Sequence, residues 1–204
     1  MAEFTEIIYT GPVADDRQAL ESLPDELFDF LSETNGLVAF EGGLHIRGAC
    51  TEPAWHALET VWWGSHALHK LYPKTVTPDD IPFAQDCVGD QFLLRDDKVI
   101  HLFGETGEVE PLNLAVTEFI EKAKSDPMDF LSLHPLRKFI REGRHLMPGK
   151  LLHVFPPYIA QDEEGKDVRI TTAPALEVLQ YLADLARQVQ EAGPGGQIQI
   201  RALA

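Results

Sequence analysis

The apolar positions of the chain recur at two different periods, and the change of period divides it. Within Ser22–Leu31, Leu27, Phe28 and Leu31 fall on one face of a helical repeat. Pro24 suits the first turn, and Asp25 and Glu26 complement the positive end of the helix dipole. Asn35-Gly36 supplies a left-handed stop. Phe40 and Leu44-His45-Ile46 read as short strand pieces around Gly42-Gly43. From Ala54 to Leu71 apolar residues recur at three and four, which predicts a second helix that Pro73 ends. The texture then changes. Ile81–Ala84, Gln91–Arg95 and Val99–Phe103 are short apolar runs separated by turn residues, with Asp96-Asp97-Lys98 as a tight link between the last two. An antiparallel hairpin is predicted there, then a turn over Gly104–Glu108, then a helix capped by Asn113 and running to Lys124 with Leu114, Phe119 and Ile120 inward.

The remaining residues repeat the mixture. Residues 127–145 read as a helix broken at Pro135. Leu151–Phe155 reads as a strand stopped by Pro156-Pro157, followed by a charged turn over Asp162–Asp167 and a strand piece at Val168-Arg169-Ile170. Pro174–Glu191 is the strongest amphipath, ended by Gly193-Pro194-Gly195-Gly196. Ile198, Ile200 and Ala202 alternate with polar residues, which predicts a terminal strand with one wet face. The expected class is α+β: helices packed on one antiparallel sheet, with a core over residues 1–127. Residues 128–204 form a C-terminal strand-helix-strand extension behind the broken helix, packed on the same domain.

Composition removes several classes. At 204 residues and 44% apolar content the chain can bury a core without disulfides or a structural metal. No apolar run reaches the roughly 18 residues of a membrane span, so no membrane partner is expected. Met1 to Asp16 lacks a basic head followed by an apolar run, so no secretory leader is expected. Cys50 and Cys87 are too few for a disulfide framework, which makes a reducing cytoplasm the expected location.

Charge is unevenly spread. The net charge of −16 comes from 33 acids and 17 bases. Residues 1–60 hold twelve acids and two bases, residues 61–127 twelve and six, and residues 128–204 nine of each. The whole excess therefore lies in the first 127 residues. Such a surface repels phosphate, which argues against nucleic-acid binding, and it attracts a basic protein. The plain alternative is that the acidity serves solubility.

Candidate chemistry is sparse. His56, His66 and His69 lack the carboxylate and spacing of a metal site. Asp86 and Asp90 flank Gly89 and could hold a cation or serve as acid and base, or Asp86 could cap the loop while Asp90 enters a strand. Cys87 has no basic neighbour to activate it and reads as apolar filler. No phosphate-binding, dinucleotide or nucleophile-elbow motif is present. Arg137, Lys138, Arg141, Arg144 and Lys150 form the one basic cluster; it reads as a nucleic-acid patch, as a face that pairs with the acids of the first 127 residues, or as a solvated face. Trp62-Trp63 could be core or a binding anchor. No catalytic set, metal or cofactor is expected. The partner-binding candidates are Asp79, Asp80, Asp86, Asp90, Trp62 and Trp63, with an exposed Phe as a further anchor.

Leu23-Pro24-Asp25-Glu26-Leu27-Phe28 with Asn35-Gly36 resembles the opening of the SUKH superfamily. Ile81-Pro82-Phe83, Gly89-Asp90-Gln91-Phe92 and the helix through Phe119-Ile120 resemble its strand core and closing helix. That superfamily includes bacterial immunity proteins of polymorphic toxin systems and a fungal cell-wall synthesis regulator. The resemblance spans about Arg17 to Lys124. It implies an α+β, non-enzymatic protein that acts by binding, with a basic, nuclease-type toxin domain as partner. A cytoplasmic regulatory or scaffold protein of the same fold is the alternative, and a metal-assisted hydrolase using Asp86, Asp90 and a histidine a second one. The tryptophan-bearing helix and the last 75 or so residues depart from the pattern.

Overall fold

Asp96 and Asp97 both adopt positive φ (48° and 60°), which gives the two-residue turn whose twist matches an antiparallel pair. In the computed structural model, which describes residues 3–160, 168–193 and 197–203, this hairpin supplies two strands of a seven-stranded sheet. The chain begins with β1 (Tyr9–Thr10), α1 (Arg17–Glu21), α2 (Asp25–Thr34), β2 (Leu37–Ala39), β3 (Leu44–Ile46), α3 (Leu58–Trp62) and α4 (Leu68–Leu71). It continues through β4 (Ile81–Asp86), β5 (Gln91–Arg95), β6 (Lys98–Leu102), β7 (Val109–Leu114), α5 (Val116–Ser125), α6 (Pro127–Phe130) and α7 (His134–Arg141). It closes with β8 (Lys150–Phe155), β9 (Arg169–Pro174) and α8 (Ala175–Ala192). The sheet is an antiparallel meander in the order β1 to β7, and β8 and β9 form a separate antiparallel pair. The Leu152 N–H donates to the Cys87 carbonyl at 2.8 Å and ties the pair to the end of β4. Both sheet edges are blunt: β1 has two residues, and β7 carries Pro111, which has no N–H.

Alternation sends side chains to both faces of the sheet, and helices cover both. Phe92, Leu94 and Val99 join Leu27 and Leu31 of α2, Phe119 and Ile120 of α5, and Leu136 and Phe139 of α7. Leu93, Ile100 and Leu102 point the other way, into a cluster with Leu68 of α4 and Leu179 and Ala183 of α8. The α+β class therefore stands as expected. The first cluster runs without a break from Ala19 to Ile170, so the residues after 127 complete the core of those before it.

Several elements depart from the sequence expectation. Ala54–Leu71 is two short helices rather than one. The backbone before α3 is diverted into a bridge with Gly48, whose N–H donates to the His56 carbonyl while its own carbonyl accepts from the Leu58 N–H. After Trp62 the chain unwinds at Gly64, a poor helix former, and Trp62 stacks on Trp63 with ring centroids 4.4 Å apart. Asn113 does not cap a helix. It lies within β7, a strand the sequence pattern missed, and Glu118 instead accepts the Ala115 N–H at the start of α5 (2.8 Å). Gln197–Leu203 forms no strand. Its N–H groups go to side chains: Gln199 donates to Gln188 (2.9 Å) and Leu203 to His153 Nε2 (3.1 Å). The extension is thus hairpin then helix. The turn expected at Asp162–Asp167 lies outside the described residues, as does Pro194-Gly195-Gly196.

The left-handed stop after α2 forms as predicted, with Asn35 at φ 43° and Gly36 at φ 82°. A Cβ at Gly36 would lie 2.5 Å from the Ile46 carbonyl oxygen and 2.7 Å from the Arg47 carbonyl carbon, both backbone atoms. Gly36→Ala is therefore expected to cost at least ~1–3 kcal/mol, readable as a lower urea midpoint. A loss within ~0.5 kcal/mol would contradict this packing.

Candidate functional site

The acids and tryptophans expected to meet a partner fall into separate places. Asp80 is 2% exposed. Its carboxylate takes Nε and Nη2 of Arg95 at 2.7 and 2.6 Å and the Thr77 N–H at 2.7 Å. Asp79 beside it is exposed. Trp62 is 8% exposed and donates its indole N–H to the Pro78 carbonyl at 3.3 Å, whereas Trp63 is half-buried. Asp86 is 4% exposed, and its Oδ1 accepts the N–H groups of Val88, Gly89 and Asp90 at 2.8–3.0 Å. It caps the loop, the second of the two roles open to it. Burial, then the charge of Asp90, raises its pKa well above the ordinary carboxylate value against these N–H donors. Asp80, Asp86 and Trp62 are thus withdrawn from the surface a partner would touch, because each spends its polar atoms inside the chain. Asp90 is half-buried: its Oδ1 accepts the Gly104 N–H (2.8 Å), and its Oδ2 lies 3.5 Å from His101 Nε2. The structure brings Asp86 to Asp90 and Trp62 to Trp63, but not the two pairs together into one patch.

The exposed acids lie elsewhere. Between Asp15 and Glu33 the sequence holds seven carboxylates against the single base Arg17. Asp16 caps α1 by accepting the Ala19 N–H, Asp15 holds the Thr51 N–H, and Glu26 accepts from the N–H and hydroxyl of Thr117. Glu21, Asp25, Asp29 and Glu33 are exposed, and among the described residues none of them forms an ion pair. Phe28 stands among them, one turn from Asp25 and beside Asp29, with 41% of its surface in solvent. It packs against neither sheet cluster. The periodicity that assigned Phe28 to the inner stripe placed it one position too far round the helix.

A chain of buried polar side chains, which the sequence did not suggest, crosses the sheet. The Asn35 carbonyl accepts from His56 Nε2 (3.0 Å), which leaves His56 Nδ1 as the acceptor for His45 Nε2–H (2.9 Å). His45 Nδ1 then accepts from Gln85 Nε2 (3.1 Å). The oxygens of Gln85 and Gln91 both accept from Arg47 Nη2 at 2.7 Å, and Arg47 Nη1 donates to the Pro82 carbonyl. Each neutral imidazole thus has one tautomer that satisfies both neighbours. Burial, then the charge of Arg47, holds His45 well below the usual histidine range, and burial pulls His56 down to about 4. Burial lowers Arg47 to about 9, which leaves it cationic at neutral pH. Tyr9 and Trp55 lie against the two imidazoles and complete the wall. The chain pins β3, β4 and the segment before α3, and His45 and Gln85 line a crevice of only ≈ 10 Å³.

A cleft of ≈ 280 Å³ opens between the Gly104–Glu108 turn, β8 and α8. Its walls are apolar: Val88, Leu152, Val154, Val178 and Leu182. The glycines at 89 and 104 let α8 close, since a Cβ on either would lie under 3.0 Å from Leu182 Cδ1. Glu105 reaches across and accepts the N–H groups of Tyr158 and Ile159, both at 3.0 Å, which fastens the rim. Burial raises the Glu105 pKa against these donors. His153 and Tyr181 meet edge to face at 4.9 Å, and among the described residues the buried Tyr181 hydroxyl has no partner. Cys87 is fully buried, and burial, then Asp86, pushes its thiol well up, so it is filler as expected. Among the described residues no group of three His, Cys, Asp or Glu side chains is placed to hold a metal ion.

The basic cluster is divided. Arg137 lies 3.7 Å from Glu41, a pair with the acidic part of the chain. Arg144 covers the Phe139 ring, bonds Glu142 and donates to the Ile170 carbonyl. Lys138, Arg141 and Lys150 are exposed. Among the described residues no helix is long and apolar enough to cross a membrane.

No family model matches the chain, and no curated protein matches it in sequence. Among solved structures it is similar to Atu4351 from Agrobacterium tumefaciens, with a TM-score of 0.53 and 14% identity. The similarity covers 90% of this chain and 84% of that one, and at this identity it concerns the fold.

Proposed function

We propose that the protein acts by binding a basic protein through the outer face of α1 and α2, as an immunity protein that neutralises a nuclease-type toxin domain. The observation that carries the reading is the exposed ring of Phe28 on α2, with the exposed carboxylates Asp25, Asp29 and Glu33 on the same helix and Glu21 on α1, none of them in an ion pair among the described residues. A toxin that cleaves nucleic acid is cationic around its substrate channel. A run of carboxylates on a rigid helix occupies the place of phosphates and speeds encounter. Charge alone gives rate and salt dependence, and an aromatic anchor supplies the buried centre that most tight interfaces need. The SUKH-like motifs lead to the same reading from the sequence side. The hydrolase alternative has little in its favour, because Asp86 Oδ1 is already taken by three backbone N–H groups.

The test is co-purification of the tagged protein with the products of adjacent reading frames, followed by affinity measurements at two salt concentrations. A basic toxin domain is expected to bind, less tightly at higher salt. The Asp25→Lys, Asp29→Lys double variant is expected to weaken binding at least roughly a hundredfold, and Phe28→Ala at least roughly tenfold. Capture of housekeeping or signalling proteins, with no protection from any toxin, would favour the regulatory alternative. Binding that tolerates both variants would sink the docking face.

A further inference from the structure

The cleft walled by α8 and β8 lies apart from the α2 face, and neither the docking reading nor the fold assigns it a role. We propose that it binds a small organic cation, an amine carried on an apolar body of a single ring or a short chain. Its ≈ 280 Å³ suits a ligand of one ring or a short chain. The floor and walls offer aliphatic surface from Val88, Val154, Val178 and Leu182, and the Phe103 ring adds an aromatic face.

The polar end selects the charge. Asp90, Glu105 and Glu108 line the cleft, and among the described residues no lysine or arginine does. His153 also lines the cleft, but burial lowers its pKa and favours the neutral ring, so among the described lining residues no cation stands ready to pair with an anion. The carboxylates are not equivalent. Both oxygens of Glu105 are occupied by the N–H groups of the Tyr158 turn, and Glu108 is exposed at the rim. Asp90 has one oxygen on the Gly104 N–H, while the other has only His101 Nε2 at the long distance of 3.5 Å. That oxygen is the acceptor available to an ammonium group.

A second observation is independent of the acids. Tyr181 lines the cleft, and among the described residues its hydroxyl is buried without a hydrogen-bond partner; an orphaned hydroxyl costs free energy, so a small shift of the ring that brings it to a ligand in the cleft is favoured. An ammonium group donates to two or three acceptors at once, so one ligand nitrogen can serve both Asp90 and the Tyr181 oxygen. The apolar body then lies along α8.

The matched probes are phenethylamine, 2-phenylethanol and 3-phenylpropionate, titrated calorimetrically and followed in amide spectra. The amine is expected to bind more tightly than the alcohol by roughly tenfold, with the carboxylate showing no saturable binding. Asp90→Asn keeps the acceptor for the Gly104 N–H. It should weaken the amine roughly tenfold and leave the alcohol unchanged, which shows the cleft is intact. Tyr181→Phe should weaken both amine and alcohol without destabilising the free protein. The Asp25→Lys, Asp29→Lys variant should bind the amine as wild type does, so loss of the docking face and loss of this site are separable. The proposal fails if the amine does not bind, if it binds Asp90→Asn and wild type alike, if the carboxylate binds as well as the amine, or if the shifted amides lie away from β8 and α8.

Discussion

Phe119→Ala is expected to lower stability by about 3–5 kcal/mol, the largest loss from any single truncation of an aromatic here. Phe119 is fully buried on α5 and sits among three other rings: Phe92 at 4.7 Å, Phe130 at 5.3 Å and Phe83 at 5.4 Å, the last edge-on. Those rings come from β4, β5 and α6, so the truncation empties the point where sheet, closing helix and later chain meet. None of the three can swing into the space without giving up its own contacts, so the cavity term adds to the transfer term. Urea unfolding should show the midpoint fall with the m-value held. A loss under ~1 kcal/mol would mean the site collapses and the core is more plastic than this packing implies.

The second large effect is in pH. His45 and His56 are neutral when folded, with His56 at about 4 and His45 also well below the ordinary 6.5. Their folded pKa values are depressed, so the unfolded chain binds the extra protons. Stability is therefore fully present above pH 6.5 and is lost as the pH falls towards about 4, at up to ~1.4 kcal/mol per pH unit for each histidine. Between pH 6.5 and 4.5 that is roughly 3 kcal/mol for His56, and His45 acts in the same direction. His153, lowered by burial, adds in the same direction, while Asp86, raised by burial, acts oppositely as it takes up its proton. Urea midpoints of wild type and His56→Gln across this range isolate the His56 contribution. The variant should show a slope shallower by about 1.4 kcal/mol per pH unit. Parallel slopes would mean that His56 is protonated in the folded state.

Local chemistry made much of the fold legible. The Asp96-Asp97 turn, the Asn35-Gly36 stop and the long amphipath ending at Gly193 each act through a few neighbouring residues. What the sequence hid was decided at a distance. Val109–Leu114 carries a proline and a weak alternation, and it becomes a strand because β6 is there to pair with it. Ala54–Leu71 has helical spacing, yet its start is captured by Gly48. The site shows the same limit. Asp80 looks like a free surface acid until Arg95 arrives from 15 residues away, and Glu105 reads as a turn residue until β8 brings Tyr158 to it. The buried chain from Asn35 to Arg47 left no motif, because its members lie on four separate stretches that only folding brings into line.

The terminal strands of the meander have a consequence for life at high concentration. A neighbouring molecule seeking to extend the sheet finds two residues at β1, and at β7 a proline beside the exposed Glu110. Neither offers the long row of free amides that seeds intermolecular ladders and fibrils. Such borders keep the meander from templating a ladder between neighbouring molecules.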